Sequence, residues 1–361
     1  MPSAETRFRL SDPERRIAAL CEVLAELDVE ITGRPEGRRH ALFHFGEAEL
    51  EHGEGEVRFR AEAPDLSGLA SVKLTLIGRL AQLVPAEPLD VVWNGDGTEL
   101  SVPPNFRLMR VVSARWVTPH MRRLTLAGEA LDRFASPDHI HVKLLIAPDG
   151  GDPAWPTLDA SGRLVPVVDH RRPAVRTYTL RHVDPVRGEV EIDLVAHGDE
   201  GPGSRFALMA RPGDEVGMMG PGGSGAHNGA ADWILLVGDE TALPAIARMA
   251  EGLPPDAKGV ALIEVADAAE QQAIRHPPGL EIRWLHRGGA PAGTTRHLLE
   301  AALALPWPGP DIRVFAWAGC EYETFRALRK HWRESCGLRK EDHLALAYWR
   351  HGVREGEFKK H

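Results

Sequence analysis

Hydrophobic and polar positions change their period several times along the 361-residue chain, and each change marks an expected element. Residues 5–10 alternate as a strand does. Ser11-Asp12-Pro13-Glu14 then reads as a helix start, with cap candidates, an early Pro and a box-type Glu. Ile17, Leu20, Cys21, Leu24 and Leu27 follow as one apolar stripe, which makes Cys21 a core residue. Strands are expected over 39–45 and 57–61, a third over 47–51, and a second amphipathic helix over 66–83. Pro103-Pro104-Asn105 marks a stiff linker. Short alternating runs come next, at 108–114, 121–127, 139–146, 176–182, 189–195 and 215–219. Their Gly/Pro/Asp-rich connections predict a small antiparallel barrel, closed by the glycine-rich run 220–226. One connection, 147–172, is long enough to need a purpose. It contains Trp155 and reads as an excursion that covers or lines part of a ligand cleft.

From 232 onward the pattern becomes an alternation of strands (233–237, 259–265, 280–285, 311–317, 343–349) and helices (243–251, 268–276, 294–303, 322–336). That alternation predicts a parallel, doubly wound sheet that binds nucleotides at the C-terminal ends of its strands. The chain is therefore expected to be multidomain. A small α/β domain occupies 1–98, an antiparallel β-barrel 106–223, and a C-terminal α/β doubly wound nucleotide domain 232–361.

Composition narrows the chemistry. With 43% hydrophobic and 26% charged residues, the chain matches an ordinary soluble protein. No apolar run approaches the ~20 residues that span a bilayer, and Met1-Pro2-Ser3-Ala4-Glu5 lacks secretory-signal features. A cytoplasmic protein without membrane insertion is expected. Cys21, Cys320 and Cys336 are too few and too scattered for a disulfide framework or an iron–sulfur cluster, and no His/Cys set has zinc spacing. His40 and His44 lie four apart on an expected strand, about 13 Å from each other, and read as structural or surface residues. No metal site is expected, so redox chemistry requires a bound organic cofactor. A net charge of −9 argues against nucleic-acid binding, yet 170–181 holds Arg171, Arg172, Arg176 and Arg181 and no acidic residue.

Within that basic stretch, Arg176-Thr177-Tyr178-Thr179-Leu180-Arg181 has strand period. Arg176, Tyr178 and Leu180 fall on one face, and Thr177, Thr179 and Arg181 on the other. A guanidinium fork beside a flat ring suits a ligand that combines a pyrophosphate with a ring system. About twenty residues later come His197, Gly198 and Gly201-Pro202-Gly203-Ser204-Arg205-Phe206. Two glycines let backbone N–H groups approach an anion, and Ser204 reads as the N-cap of a short helix beginning near Arg205.

This pairing resembles the siderophore-interacting flavoproteins, relatives of the ferredoxin–NADP reductases, which carry an Arg-x-Tyr-Thr-x-Arg signature. The likeness runs from about Phe106 to Gly352. Its further landmarks are Asp138-His139-Ile140-His141-Val142-Lys143-Leu144-Leu145, Gly238-Asp239-Glu240-Thr241-Ala242-Leu243-Pro244 and Tyr348-Trp349-Arg350-His351-Gly352. Residues 1–98 look like a small α/β domain of unknown function sometimes fused ahead of such modules. By resemblance the barrel binds FAD and the last domain NADPH or NADH. Arg176 would grip the pyrophosphate, Tyr178 pack on the isoalloxazine and Thr179 bond near flavin N5. Thr177 belongs to the same run. Gly203 and Ser204 would hold the phosphates, with His197 and Gly198 nearby; a structural role for His197 stays open. The Asp239–Thr241 turn replaces a Gly-x-Gly-x-x-Gly, and Thr241 either caps the next helix plainly or also donates to a phosphate.

The implied activity is NAD(P)H-dependent reduction of a ferric siderophore, with the flavin rather than a protein acid or base carrying the chemistry. Ferrous iron is a weaker partner for hard oxygen ligands, so reduction loosens the chelate. The substrate would be anionic, a catecholate or hydroxamate complex, held by Lys143, Arg181 and one of Arg339 or Lys340, each of which also reads as a solvated charge. Glu264, ending the second strand, is placed to accept a ribose 2′-OH, which leaves NADH open. Cys320 is an insertion beside the expected nicotinamide site, with a modulating or a packing role. Two other readings remain: a flavin-containing siderophore-binding or iron-delivery module, and a general flavin or ferredoxin-type reductase.

Overall fold

The structure, a computed structural model, describes all residues except 28, 34–36, 100, 149–151, 169, 197–200, 223–230 and 354–361. It divides into two compact units, Met1–Phe106 with Pro148–Pro173, and Arg107–Ala147 with Ala174–His361.

The first unit holds β1 (Ser3–Arg9), α1 (Pro13–Ala25), β2 (Glu30–Gly33), β3 (Arg39–Phe43), β4 (Gly46–His52), β5 (Glu56–Glu62), α2 (Leu66–Leu83) and β6 (Trp93–Gly95). The strands form an antiparallel sheet in the order β2-β3-β4-β5-β1-β6. Alternation puts Phe8, Leu50, Val57 and Phe59 on the face covered by Ile17, Leu20 and Leu24 of α1 and Leu69, Leu76 and Leu80 of α2. The opposite face is a charge ladder in which Arg58 bridges Glu5 and Glu51. Two local expectations change. Asp12 is the N-cap residue of α1 but, with its backbone in the left-handed region at φ 47°, makes no side-chain cap bond, and Ser11 is tied to Glu87. Leu27 lies beyond the helix end and is exposed.

The long excursion belongs to this first unit. It turns tightly at Asp159, whose Oδ1 accepts from the backbones of Ser161 and Arg163. Trp93 Nε1 donates to the Ser161 carbonyl at 3.0 Å, Leu158 N donates to Ser101 O at 2.8 Å, and Trp155 packs on Phe106.

The second unit opens with a closed barrel in the order β10-β11-β8-β7-β12-β9. Its strands are β7 (Phe106–Thr118), β8 (Met121–Ala127), β9 (His141–Ile146), β10 (Ala174–Asp184), β11 (Glu189–Val195) and β12 (Glu215–Gly222), with α3 (Pro202–Met209) between β11 and β12. Inward residues such as Leu124, Leu126, Leu144, Leu180, Ile192 and Met218 fill it. Then follow β13 (Trp233–Asp239), α4 (Leu243–Gly252), β14 (Lys258–Val265), β15 (Gly279–His286), α5 (His297–Leu303), β16 (Val314–Glu321), α6 (Tyr322–Glu334) and β17 (His343–Trp349). These strands are all parallel, in the order β15-β14-β13-β16-β17. Their near-continuous apolar runs suit a sheet covered on both faces. The helix expected over 268–276 is reduced to one tight turn, Ala268–Glu270. Pro277-Pro278 bars helix just ahead of it, and the Glu270 carboxylate is drawn to the β7–β8 turn, bonding Thr118 Oγ1 and His120 N.

Candidate functional site

The signature stretch lies on β10, paired with β9 so that Arg176 faces Leu144, Thr177 faces Lys143, Tyr178 faces Val142 and Thr179 faces His141. Tyr178 is half-buried against the barrel core, Thr179 is buried, and Thr177 is exposed. Arg176 is held along the strand by an Nη1 bond to its neighbour's carbonyl, Val175 O, at 2.8 Å.

The second motif closes on this strand from α3. A Cβ added at Gly203 would lie 2.3 Å from the Tyr178 hydroxyl and 3.4 Å from Arg176 Cγ. Only glycine lets the helix start approach the Arg–Tyr pair so closely. The helix begins earlier than expected: Gly201 is the cap residue, Pro202 takes the first helical position, and Ser204 sits buried in the first turn rather than capping it. Pro's fixed φ favours that start. The first-turn N–H groups of Gly203 and Ser204 thus sit at the positive end of the helix beside a guanidinium. At the other end, Arg122 of β8 donates to the Ala207, Leu208 and Ala210 carbonyls, supplying the cation that α3 lacks in its last turn. His197 and Gly198 lie outside the described residues. A helix start, a guanidinium and a half-buried aromatic ring brought together in this way are a donor set and ring face that fit a flavin dinucleotide, and the close approach at Gly203 is what joins them.

Of the four cations assigned to the substrate, Lys143 is exposed on β9 opposite Thr177. Arg181 is a correction. Its guanidinium forms a two-point pair with Glu251 of α4, at 2.8 and 2.6 Å, and its side chain is only 12% exposed, so its charge is neutralised. Arg339 and Lys340 precede β17, about 20 Å from the C-terminal end of that strand. Arg339 is moreover paired with Asp342 and Glu341.

At the C-terminal ends of the parallel strands the barrel and the sheet meet through specific bonds. Tyr348 Oη lies 2.6 Å from His141 Nε2 and also bonds the Thr179 side chain. Burial, with the nearby Arg248 charge, pushes the His141 ring down to about 4. Burial raises the Tyr348 hydroxyl, against the pull of the Thr179 bond, so both groups are neutral at physiological pH. Arg248 of α4 donates to Leu180 O at 2.7 Å and Ser136 O at 3.0 Å, which fixes α4 on β10 beside the Arg181–Glu251 pair.

The turn after β13 is internally satisfied. Thr241 donates its hydroxyl to Asp239 Oδ1 at 2.5 Å and its N–H to the same atom at 2.9 Å, while Trp349 Nε1 donates to Oδ2 at 2.8 Å. Thr241 therefore does not cap α4, whose cap residue is Ala242, and its one hydroxyl proton is committed to Asp239. Burial, reinforced by the Glu240 charge, raises the Asp239 carboxyl to about 6. A Cβ at Gly238 would lie 2.6 Å from that of Ala242, so the strand-to-helix turn needs glycine there. Glu264 is buried and already accepts from Thr295 Oγ1 and Leu298 N, which removes it as a direct ribose partner. Cys320 is 1% exposed in the apolar core under β16, and burial raises its thiol well above normal, so it is a packing residue.

Sequence reasoning missed Arg122, Arg248, Glu270 and Arg287. Each acts on a residue far away in the chain, and no local spacing signals that. Among the described residues no group of His, Cys, Asp or Glu could hold a metal ion, and no helix is long and apolar enough to cross a membrane.

A barrel with a helix start turned onto an Arg–Tyr strand, joined to a five-stranded parallel sheet, defines the ferredoxin–NADP reductase-like class of flavin-dependent oxidoreductases. Within it, the chain belongs to the siderophore-interacting protein family. The family's FAD-binding domain matches residues 110–225, and the siderophore-interacting domain matches 231–352. The crystal structure of a siderophore utilization protein from T. fusca is 40% identical, with a TM-score of 0.59 over 69% of this chain and 94% of its own. The ferric vibriobactin reductase ViuB of Vibrio cholerae is 32% identical over 69% of this chain and 91% of its own. The NADPH-dependent ferric-chelate reductase of Escherichia coli is 34% identical over 68% and 92%.

Proposed function

We propose that this protein is an NAD(P)H-dependent, FAD-containing ferric-siderophore reductase that releases iron in the cytoplasm. The observation that carries the reading is the approach of α3, through Gly203, to Arg176 and Tyr178. Arg176 holds the pyrophosphate together with the Gly203 and Ser204 N–H groups. Tyr178 offers its ring, and Thr179, held by Tyr348, offers a hydroxyl at the inner edge. The Asp239–Thr241 turn shapes the nucleotide crevice through its backbone. The FAD that these residues would hold would supply hydride acceptance from the reduced nicotinamide and one-electron transfer to ferric iron. Lys143 draws an anionic iron complex, catecholate or hydroxamate, toward that edge.

The purified protein should be yellow, be bleached by reduced nicotinamide without oxygen, and regain its colour on addition of a ferric catecholate. Arg176→Ala removes bonds worth roughly 1.5–3 kcal/mol each, so flavin content should drop about tenfold or more while the far-UV spectrum stays unchanged. A colourless wild type, or an Arg176→Ala variant with full flavin, refutes the assignment. Lys143→Ala should raise KM for the anionic complex and flatten its salt dependence. If reoxidation by the iron complex is far slower than catalysis requires, the protein is an iron-delivery module instead. Efficient turnover with a protein acceptor alone would make it a general flavin or ferredoxin-type reductase.

A further inference from the structure

Three neighbouring strands of the parallel sheet end in charged side chains that bind one another. Glu240 follows β13, Glu264 is the penultimate residue of β14, and Arg287 follows β15. Arg287 donates Nη1 to Glu240 Oε2 at 2.6 Å and Nη2 to Glu240 Oε1 at 2.8 Å. Its Nη1 also lies 3.7 Å from Glu264 Oε1. Arg287 is 8% exposed, and its Nε is buried without a hydrogen-bond partner. One cation therefore faces two carboxylates, and the fork that could have met a phosphate is turned onto Glu240. Asp267, exposed just beyond β14, adds a third carboxylate, its Oδ1 accepting from Ala269 N. The remaining polar pair there, Gln271 with His286, adds no anion-binding fork of this kind.

In doubly wound sheets the adenosine ribose lies over the end of the second strand, here β14, where a carboxylate suits a 2′-OH and an arginine accommodates a 2′-phosphate. We propose that Glu240, Glu264 and Arg287 together form a selector that excludes the 2′-phosphate, so that NADH rather than NADPH is this protein's electron donor. Glu264 is too buried to touch the ribose and acts by holding Arg287. Glu240 is the gate, because a 2′-phosphate could claim Arg287 only by displacing it from a two-point, charge-assisted pair. Arg287 carries no surplus charge for such a ligand, and the net field of the three strand ends is negative.

This inference rests on the reductase reading, and two measurements separate their failures. Anaerobic flavin bleaching gives kcat/KM for each coenzyme. Competition by 5′-AMP and 2′,5′-ADP gives equilibrium binding without turnover. The holoprotein should favour NADH over NADPH by about tenfold or more, chiefly in KM, and bind 5′-AMP more tightly than 2′,5′-ADP. Glu240→Gln, with flavin content as the fold control, should shrink both ratios by about tenfold, because it frees the guanidinium. A wild-type preference for NADPH, or ratios unchanged in Glu240→Gln with full flavin, overturns the selector alone. Bleaching by neither coenzyme overturns the reductase reading beneath it.

Discussion

The two halves of the second unit build their signature regions differently. In the barrel, a helix start closes through Gly203 on the strand that carries Arg176 and Tyr178. In the parallel sheet, the motif side chains close on each other: Thr241 and Trp349 satisfy Asp239, Glu240 and Glu264 flank Arg287, and Glu321 caps α6 through Glu323 N and Thr324 N. Under the proposed function the barrel motif grips the flavin, whereas the sheet motif is a frame of side chains that bond one another. A motif residue's identity does not by itself say which of the two it serves.

The comparison breaks most readily at Gly203. Gly203→Ala places a methyl against the Tyr178 hydroxyl and should cost about 3 kcal/mol of flavin affinity, roughly a hundredfold in Kd. Equilibrium titration of the stripped protein with FAD reads this, and unchanged affinity would show that α3 does not pack where the flavin must sit. A smaller loss tests the far end of the same helix. Arg122→Gln leaves three carbonyls of α3 without their cation and should weaken FAD binding by about 1–2 kcal/mol. Arg122→Lys should restore part of that loss, and hydrogen exchange of α3 amides should rise in the Gln variant.

The junction between the halves should sense acid. The folded His141 value of about 4 lies below its usual 6.5, so its contribution to stability is complete above 6.5 and is lost as pH falls toward 4. At pH 5.5 the cost should be about 1 kcal/mol, absent in His141→Gln. Asp239 works the other way: its raised carboxyl disfavours the fold as pH climbs through about 6. Comparing the His141→Gln variant with wild type at each pH isolates the histidine, and parallel denaturation curves would show that the His141–Tyr348 bond is not coupled to folding. The smallest effect belongs to the frame. Thr241→Ala should change KM for either coenzyme by less than about threefold while lowering stability by about 1 kcal/mol, since the hydroxyl serves Asp239. A tenfold rise in KM with unchanged stability would restore Thr241 as a direct phosphate partner.

How legible each feature was depended on the range of its cause. Strands 121–127, 189–195 and 343–349 and the helix 66–83 match their expected bounds, because period and termini are local properties. The short edge strands β2 and β6 went unread: they carry too few residues to show a period and exist by pairing with β3 and β1. The helix expected at 268–276 failed because a carboxylate in it is claimed by a turn some 150 positions earlier.

By itself the sequence determined the chain's division into β-barrel and β/α patterns, the placing of Arg176, Thr177, Tyr178 and Thr179 on one strand, and the glycine that precedes Ser204. Alternation, propensity and backbone freedom act over a few residues, and these features need nothing more. Tertiary structure decided which charges remain available. It paired Arg181 with Glu251 and Arg287 with Glu240, left Arg339 and Lys340 at the far end of their strand, and attached the 148–173 excursion to the first unit. A charge's availability depends on what lies within a few ångströms of it, and in a folded chain those neighbours come from anywhere in the sequence.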